Sequence, residues 1–264
     1  MKDTKVIKLF NKKIKTPMTC LTAYSSTVAK LLDGKVDFVL IGDSLSSTVY
    51  GMKNTQNVTL EMMKRHSIAV TKEIKKSLTI IDMPYNTYTN KEQAYKNAKF
   101  LLKKTKANFL KLEITKNRIP IVKYLTEKNI NIVGHIGVTP QSYREFSKIK
   151  VIGKNLKEIK DLVQLADRLE IVGAKLILLE CVTEQATKKI MEKISIPTIG
   201  IGASKHCDGQ VLVLDDILNL SLNKNKPKFV KKYFNLKNIY NIAINNFVKD
   251  VKNKKFPSKK NSYF

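Results

Sequence analysis

Residues 156–181 read LKEIKDLVQLADRLEIVGAKLILLEC. Leu156 to Val172 places apolar residues at helical spacing among charged ones, the pattern of an amphipathic helix. Ala174 to Cys181 is different in kind: a short, almost unbroken apolar run that closes on Glu180 and Cys181. Runs of this sort belong to strands of a parallel sheet covered on both faces. Helix followed by buried strand is the repeating unit of an α/β protein, and the same pair of patterns extends in both directions. Strands are expected at Met18 to Tyr24, Val36 to Asp43, Leu78 to Pro84, Ala107 to Glu113, Ile130 to Gly137, Ala174 to Cys181, Ile196 to Ser204 and Gln210 to Asp215. The clearest further helices are Val58 to Lys76, Lys91 to Lys104 and Glu184 to Lys193. Eight strands in strict alternation with helices predict a closed (β/α)8 TIM barrel rather than an open sheet. The eighth unit is the least regular, because no clean helix follows it before a Lys-rich stretch. A last helix, about Leu236 to Lys252, is expected outside the barrel. With no internal repeat or linker, residues 1–264 read as one barrel domain with short basic extensions at both ends.

Composition narrows the function classes. A 43% apolar content supports a sizeable core. Three scattered cysteines, Cys20, Cys181 and Cys207, form neither a disulfide framework nor a zinc motif, which suits a reducing compartment. No stretch reaches the roughly 18 apolar residues of a membrane span, and the basic N-terminus lacks a signal-peptide core, so a cytoplasmic protein with no membrane partner is expected. The net charge of +27 raises the question of nucleic acid, yet only four of the 49 basic residues are Arg: Arg65, Arg118, Arg144 and Arg168. Nucleic-acid readers favour the planar guanidinium, and here Lys is spread over nearly every segment. We expect a solvated Lys-rich surface and no nucleic-acid partner.

The chemistry lies in how the strands end. Val36 to Leu40 runs into Gly42-Asp43-Ser44, and Leu78 to Ile81 ends in Asp82 before Pro84. Phe109 to Leu112 carries Lys111 and Glu113, the fifth strand reaches Gly134-His135, and Leu176 to Leu179 ends in Glu180. Ionisable groups directly after apolar strands are costly in a core, but at the C-terminal mouth of a barrel they line the site. Lys111 and Glu113, two apart, share one face of their strand. Each residue has a plainer reading: Asp43 or Asp82 could cap a helix, Lys111 and Glu113 could be an ion pair, His135 could be structural, and Glu180 could simply bond Lys111. Their convergence at one end of one barrel favours a polar active site. Asp43, Asp82 and Glu113 make an oxygen-rich donor set suited to Mg²⁺ rather than zinc. Lys111 would hold a substrate carboxylate or a developing oxyanion, leaving Glu180 as an uncommitted base for proton removal beside a carbonyl.

Taken in order, Gly42-Asp43-Ser44-Leu45, Asp82-Met83-Pro84, Lys111-Leu112-Glu113, Gly134-His135-Ile136-Gly137-Val138-Thr139-Pro140-Gln141-Ser142, Leu179-Glu180-Cys181-Val182 and Gly200-Ile201-Gly202-Ala203 resemble the ketopantoate hydroxymethyltransferase family, over about residues 18–257. That family belongs to the barrel superfamily of phosphoenolpyruvate mutase and isocitrate lyase. The resemblance implies Mg²⁺ at Asp43 and Asp82, with Glu113 there directly or through water. It implies a 2-oxo acid held by Asp43, Ser44, Asp82 and Lys111, with His135 lining the pocket and Glu180 as proton acceptor. It further implies 5,10-methylenetetrahydrofolate as co-substrate and a homo-oligomer, a decamer of stacked pentameric rings. Ser46 and Ser204 stand where the family usually has Gly, and Lys259 to Phe264 replaces an acidic, His-containing end. Mutases and lyases of the superfamily carry a Cys-containing catalytic loop, which neither Cys181 nor Cys207 provides. A drifted barrel kept as a basic scaffold would have lost site carboxylates that this chain retains.

Overall fold

The computed structural model describes residues 16–145, 149–222 and 227–264. Its contacts divide the chain into two compact units, Met1–Val213 and Leu214–Phe264.

In the first unit eight parallel strands close into a barrel in sequence order: β1 (Met18–Thr22), β2 (Phe38–Ile41), β3 (Leu78–Asp82), β4 (Phe109–Glu113), β5 (Ile132–Gly137), β6 (Leu176–Glu180), β7 (Thr198–Ile201) and β8 (Gly209–Leu212). β8 pairs with β1, with Cys20 beside Val211. Each strand is shorter than its apolar run, because the residues that lead into and out of the barrel lie beyond the paired ladder. At the end of the eighth run, Leu214 and Asp215 enter a short helix instead of a strand.

The helices are α1 (Ser26–Leu32), α2 (Leu45–Thr48), α3 (Leu60–Glu73), α4 (Lys91–Thr105), α5 (Ile119–Glu127), α6 (Leu156–Ile171) and α7 (Glu184–Lys193). Local chemistry sets their starts. The side chains of Thr59, Asn90, Asn155 and Thr183 each accept a backbone N–H in the first turn of the helix that follows. α1 and α5 are too short for apolar periodicity to single out. Strict alternation fails once: β7 and β8 are joined by Gly202–Asp208 without a helix.

Two apolar layers result. Residues of one strand parity, among them Met18, Phe38, Ile80, Phe109, Val133 and Leu178, fill the barrel interior. The opposite parity, including Val39, Ile81, Leu110, Ile132 and Leu179, packs against the helices. Phe38 and Phe109 meet edge to face inside the barrel, with ring centroids 6.0 Å apart, and close its lower part. Among the described residues no helix is long and apolar enough to cross a membrane. In the second unit, α8 (Leu214–Ile217) and α9 (Leu236–Lys252) are helical, and α9 has no buried residue.

Candidate active site

The site is the next layer of the barrel interior. Side chains alternate along a strand, so the position two residues beyond an inward-facing one also faces inward. Asp82 stands above Ile80, Lys111 above Phe109, His135 above Val133 and Glu180 above Leu178. Glu113 is one further step up β4. Register brings these positions side by side, with Asp82 paired to Lys111, Glu113 to His135, and Gly137 to Glu180. The polar layer thus rests on an apolar plug at the C-terminal ends of the strands, the face where barrels of this kind build their sites. Gly137 is required there. Its φ of +97° is left-handed, and a Cβ would collide with the Glu180 carbonyl oxygen.

Six expected residues are brought together in one chain of interactions. The backbone N–H of Asp43 donates to Asp82 Oδ2 at 3.0 Å. Lys111 Nζ lies 3.2 Å from Asp82 Oδ1 and 3.2 Å from His135 Nδ1. His135 Nε2 faces Glu180 Oε2 at 3.3 Å without an aligned hydrogen bond. His135 Nδ1 is 3.9 Å from Glu113 Oε1. Asp43, Asp82, Lys111, Glu113 and His135 are all buried, whereas Glu180 keeps 19% of its side-chain surface open at the mouth. Ser44 is at the edge of the group, its hydroxyl 2.8 Å from that of Tyr24.

Neither aspartate caps a helix. Asn90 caps α4, well beyond Asp82, and Ser44, the residue before α2, stands at a helix start with no side-chain cap. Asp43 Oδ2 instead accepts from Gln141 Nε2 at 2.8 Å. Sequence reasoning assigns no role to Gln141, Tyr88, Tyr24 or Arg118, although Gln141 lies within the His135 block. Ser46 and Ser204 both have negative φ, so the backbone needs no glycine at either place.

Burial sets the electrostatics. It pushes the Asp82 carboxyl up to about 7, against the pull of Lys111, with Asp43 adding to the rise. Glu113 is raised well above the ordinary carboxylate range by burial and then by Asp43. Burial raises Glu180 to about 7, and Lys111 opposes it. Burial also acts to lower Lys111, but Asp82, Asp43 and Glu113 outweigh it and the ammonium stays charged. His135 is held neutral, its pKa well below the usual value through burial and then Lys111. The Cys181 thiol, pushed by burial up to about 12, is no thiolate nucleophile.

Lys111 is the one buried Lys or Arg among the described residues, and it faces four carboxylates: Asp43, Asp82, Glu113 and Glu180. Asp82 Oδ1, although close to the ammonium, is a buried oxygen without an aligned hydrogen bond. Excess negative charge, hard oxygen donors and an open carboxylate oxygen fit a divalent cation. Among the described residues no three His, Cys, Asp or Glu side chains are already gathered as a metal cage. Mg²⁺ does not need one, since it is typically held by one or two carboxylates, with water and substrate oxygens completing the shell.

The barrel resembles a phosphoenolpyruvate phosphomutase from Streptomyces platensis subsp. rosaceus, with a TM-score of 0.62, 9% identity, and 95% and 88% of the two chains covered. It also resembles a phosphonopyruvate hydrolase solved with oxalate and Mg²⁺, with a TM-score of 0.60, 11% identity, and 99% and 93% covered. At such identities the likeness is one of fold. The sequence is 46% identical to a 3-methyl-2-oxobutanoate hydroxymethyltransferase of Pelagibacter ubique (strain HTCC1062), over 99% of this chain and all of the relative. It is 39% identical to the enzyme of the same name from Helicobacter pylori (strain P12), over 100% of this chain and 97% of that one. The sequence pattern of ketopantoate hydroxymethyltransferase matches residues 3–259. This chain belongs to the ketopantoate hydroxymethyltransferase family.

Proposed function

We propose that Glu180 is the general base of this enzyme and that Asp43, Ser44, Asp82, Lys111 and His135 form its 2-oxo acid pocket. The reaction is hydroxymethyl transfer from 5,10-methylenetetrahydrofolate to 3-methyl-2-oxobutanoate, giving ketopantoate in pantothenate biosynthesis. One observation carries the assignment of the base. Glu180 is the one site carboxylate that combines a position at the mouth, a partly open side chain and a pKa raised to about 7. A base poised near the working pH both exists as carboxylate and holds a proton well enough to take one.

Lys111, charged and buried, binds the substrate carboxylate and offsets charge that develops on the keto oxygen. His135, neutral, lies between Lys111 and Glu180 and keeps the base directed into the pocket. Mg²⁺, held by Asp43 and Asp82 with Glu113 directly at the ion or through water, would supply Lewis-acid polarisation of the 2-oxo group. Glu180 removes the C3 proton, and the resulting carbon nucleophile forms the new C–C bond to the one-carbon unit of the folate; water supplies the hydroxyl oxygen, and tetrahydrofolate leaves as its two C–N bonds to that carbon break. On this reading the enzyme works in the cytoplasm as a homo-oligomer, a decamer in the form usual for the family.

Proton removal precedes attack on the folate, so wild-type enzyme with Mg²⁺ and 3-methyl-2-oxobutanoate in D₂O should exchange the C3 proton without folate. Glu180→Gln keeps the shape and removes the basicity, and exchange should fall by about 10² to 10⁴. Exchange at the wild-type rate in the variant would transfer the role to another residue, His135 first.

A further inference from the structure

Gln141 sits in the single turn Pro140–Ser142 that follows β5, and its side chain is buried. All its polar groups are engaged. The backbone N–H donates to both Glu113 oxygens, at 3.2 and 3.1 Å, and the carbonyl accepts from Gln56 Nε2 at 2.9 Å. The side-chain amide donates to Asp43 Oδ2 at 2.8 Å and to the Met83 carbonyl at 2.9 Å, and Oε1 accepts from the Tyr88 hydroxyl at 2.5 Å. Met83 directly follows Asp82. One buried residue therefore binds Asp43, Glu113 and the backbone beside Asp82.

The direction of these bonds is also determined. Arg118 has donors only. Its guanidinium lies 4.8 Å from the centre of the Tyr88 ring, and Nη1 donates to the Tyr88 oxygen at 3.4 Å and to the Glu113 carbonyl at 2.8 Å. With its oxygen accepting from Arg118, Tyr88 gives its own proton to Gln141 Oε1. Both amide hydrogens of Gln141 then point at Asp43 and Met83. A flipped amide would set Oε1 against two acceptors in a buried site, where unpaired polar groups are costly. Because the amide is neutral, it orients Asp43 without cancelling its charge, as a lysine would. Holding Asp43 by Oδ2 also determines where Oδ1 points.

We propose that Gln141 is a positioning residue for the cation site. In this reading it fixes Asp43 and Glu113 in the orientation that receives a divalent ion, and Arg118 and Tyr88 set the direction of its amide. The inference rests on the assignment of Asp43, Asp82 and Glu113 as the metal-side carboxylates. Groups that orient metal ligands from behind typically contribute 10- to 100-fold in metal affinity.

The test is Mn²⁺ binding to the full chain without substrate, followed by EPR, in wild type, Asp43→Ala, Gln141→Met and Tyr88→Phe. Melting curves confirm that each variant is folded. Gln141→Met should raise the Kd for Mn²⁺ by about 10- to 100-fold. Tyr88→Phe, which loses one hydrogen bond, should raise it about five-fold. The EPR line shape of the bound ion should also change in Gln141→Met, a response that a packing role alone would not give. If Asp43→Ala loses Mn²⁺ while folded Gln141→Met binds it as wild type does, the inference is overturned and the carboxylate assignment stands. Should Asp43→Ala bind Mn²⁺ as tightly as wild type, both are overturned. If Gln141→Met does not fold, Tyr88→Phe decides, and an unchanged Kd there overturns the inference.

Discussion

His135 lies between a cation and a carboxylate: its Nδ1 is 3.2 Å from the Lys111 ammonium and its Nε2 is 3.3 Å from Glu180 Oε2. A lysine ammonium only donates, so Nδ1 must be the acceptor and the ring proton sits on Nε2, toward Glu180. Burial and then the ammonium hold the histidine neutral, the contact with Lys111 selects one tautomer, and the ring separates Lys111 from Glu180. That spacing leaves the glutamate free enough of the ammonium for burial to raise it to about 7.

This raised value sets a pH dependence. kcat/KM should rise with pH through about 7 as Glu180 loses its proton. The stability consequence has the opposite sense. With its native pKa above the ordinary 4.5, the folded state holds this proton more tightly than the unfolded one. The resulting stability is fully present below about 4.5 and is lost as pH rises through about 7. Glu180→Gln should therefore gain on the order of 2–3 kcal/mol at pH 8 in metal-free buffer and nothing at pH 4. Melting curves at the two pH values check this, and equal shifts at both would refute the burial argument.

Asp43→Ala should abolish Mg²⁺-dependent turnover and leave the far-UV CD spectrum and melting behaviour close to wild type. Asp43 follows β2 and contributes one side-chain bond, to Gln141, so the apolar layers beneath it stay intact. A Mg²⁺ titration of activity that superimposes on wild type would remove Asp43 from the metal site.

Gly137→Ala should cost at least about 2 kcal/mol, because positive φ and a collision with Glu180 backbone coincide there. Denaturant unfolding measures the loss, and activity should fall with it, since the strain is passed directly to Glu180. A variant as stable as wild type would show that the β5–β6 contact can yield.

Ser46 is fully buried and its hydroxyl has no hydrogen-bond partner among the described residues. Ser46→Ala should thus stabilise the protein by about 1 kcal/mol, read as a rise of a few degrees in Tm. A loss of stability instead would mean that the hydroxyl has a partner in solution.

The Lys-rich surface should steer anionic substrates and bind no nucleic acid tightly. kcat/KM should fall modestly with ionic strength, and RNA should not bind below micromolar Kd at physiological salt. Sub-micromolar binding with a steep salt slope would reverse this expectation.

What the sequence determined by itself was periodicity and its interruptions. Apolar runs such as Leu176–Leu179 read as buried strands, and eight of them in alternation with amphipathic segments point to a closed barrel rather than an open sheet. An ionisable residue at the end of such a run is costly unless it faces a site, so Asp82, Lys111, Glu113, His135 and Glu180 were legible one strand at a time. The missing helix between β7 and β8 was not legible, since a seven-residue turn and a short helix look alike without periodicity. Nor was the role of Gln141. It lies 98 positions from Asp43, 53 from Tyr88 and 28 from Glu113 along the chain, and a neutral amide after a proline carries no local signal. Only closure of the barrel brings those residues within hydrogen-bond reach. The pKa values and the tautomer of His135 likewise depend on burial and on neighbours from other strands, which the tertiary structure alone supplies.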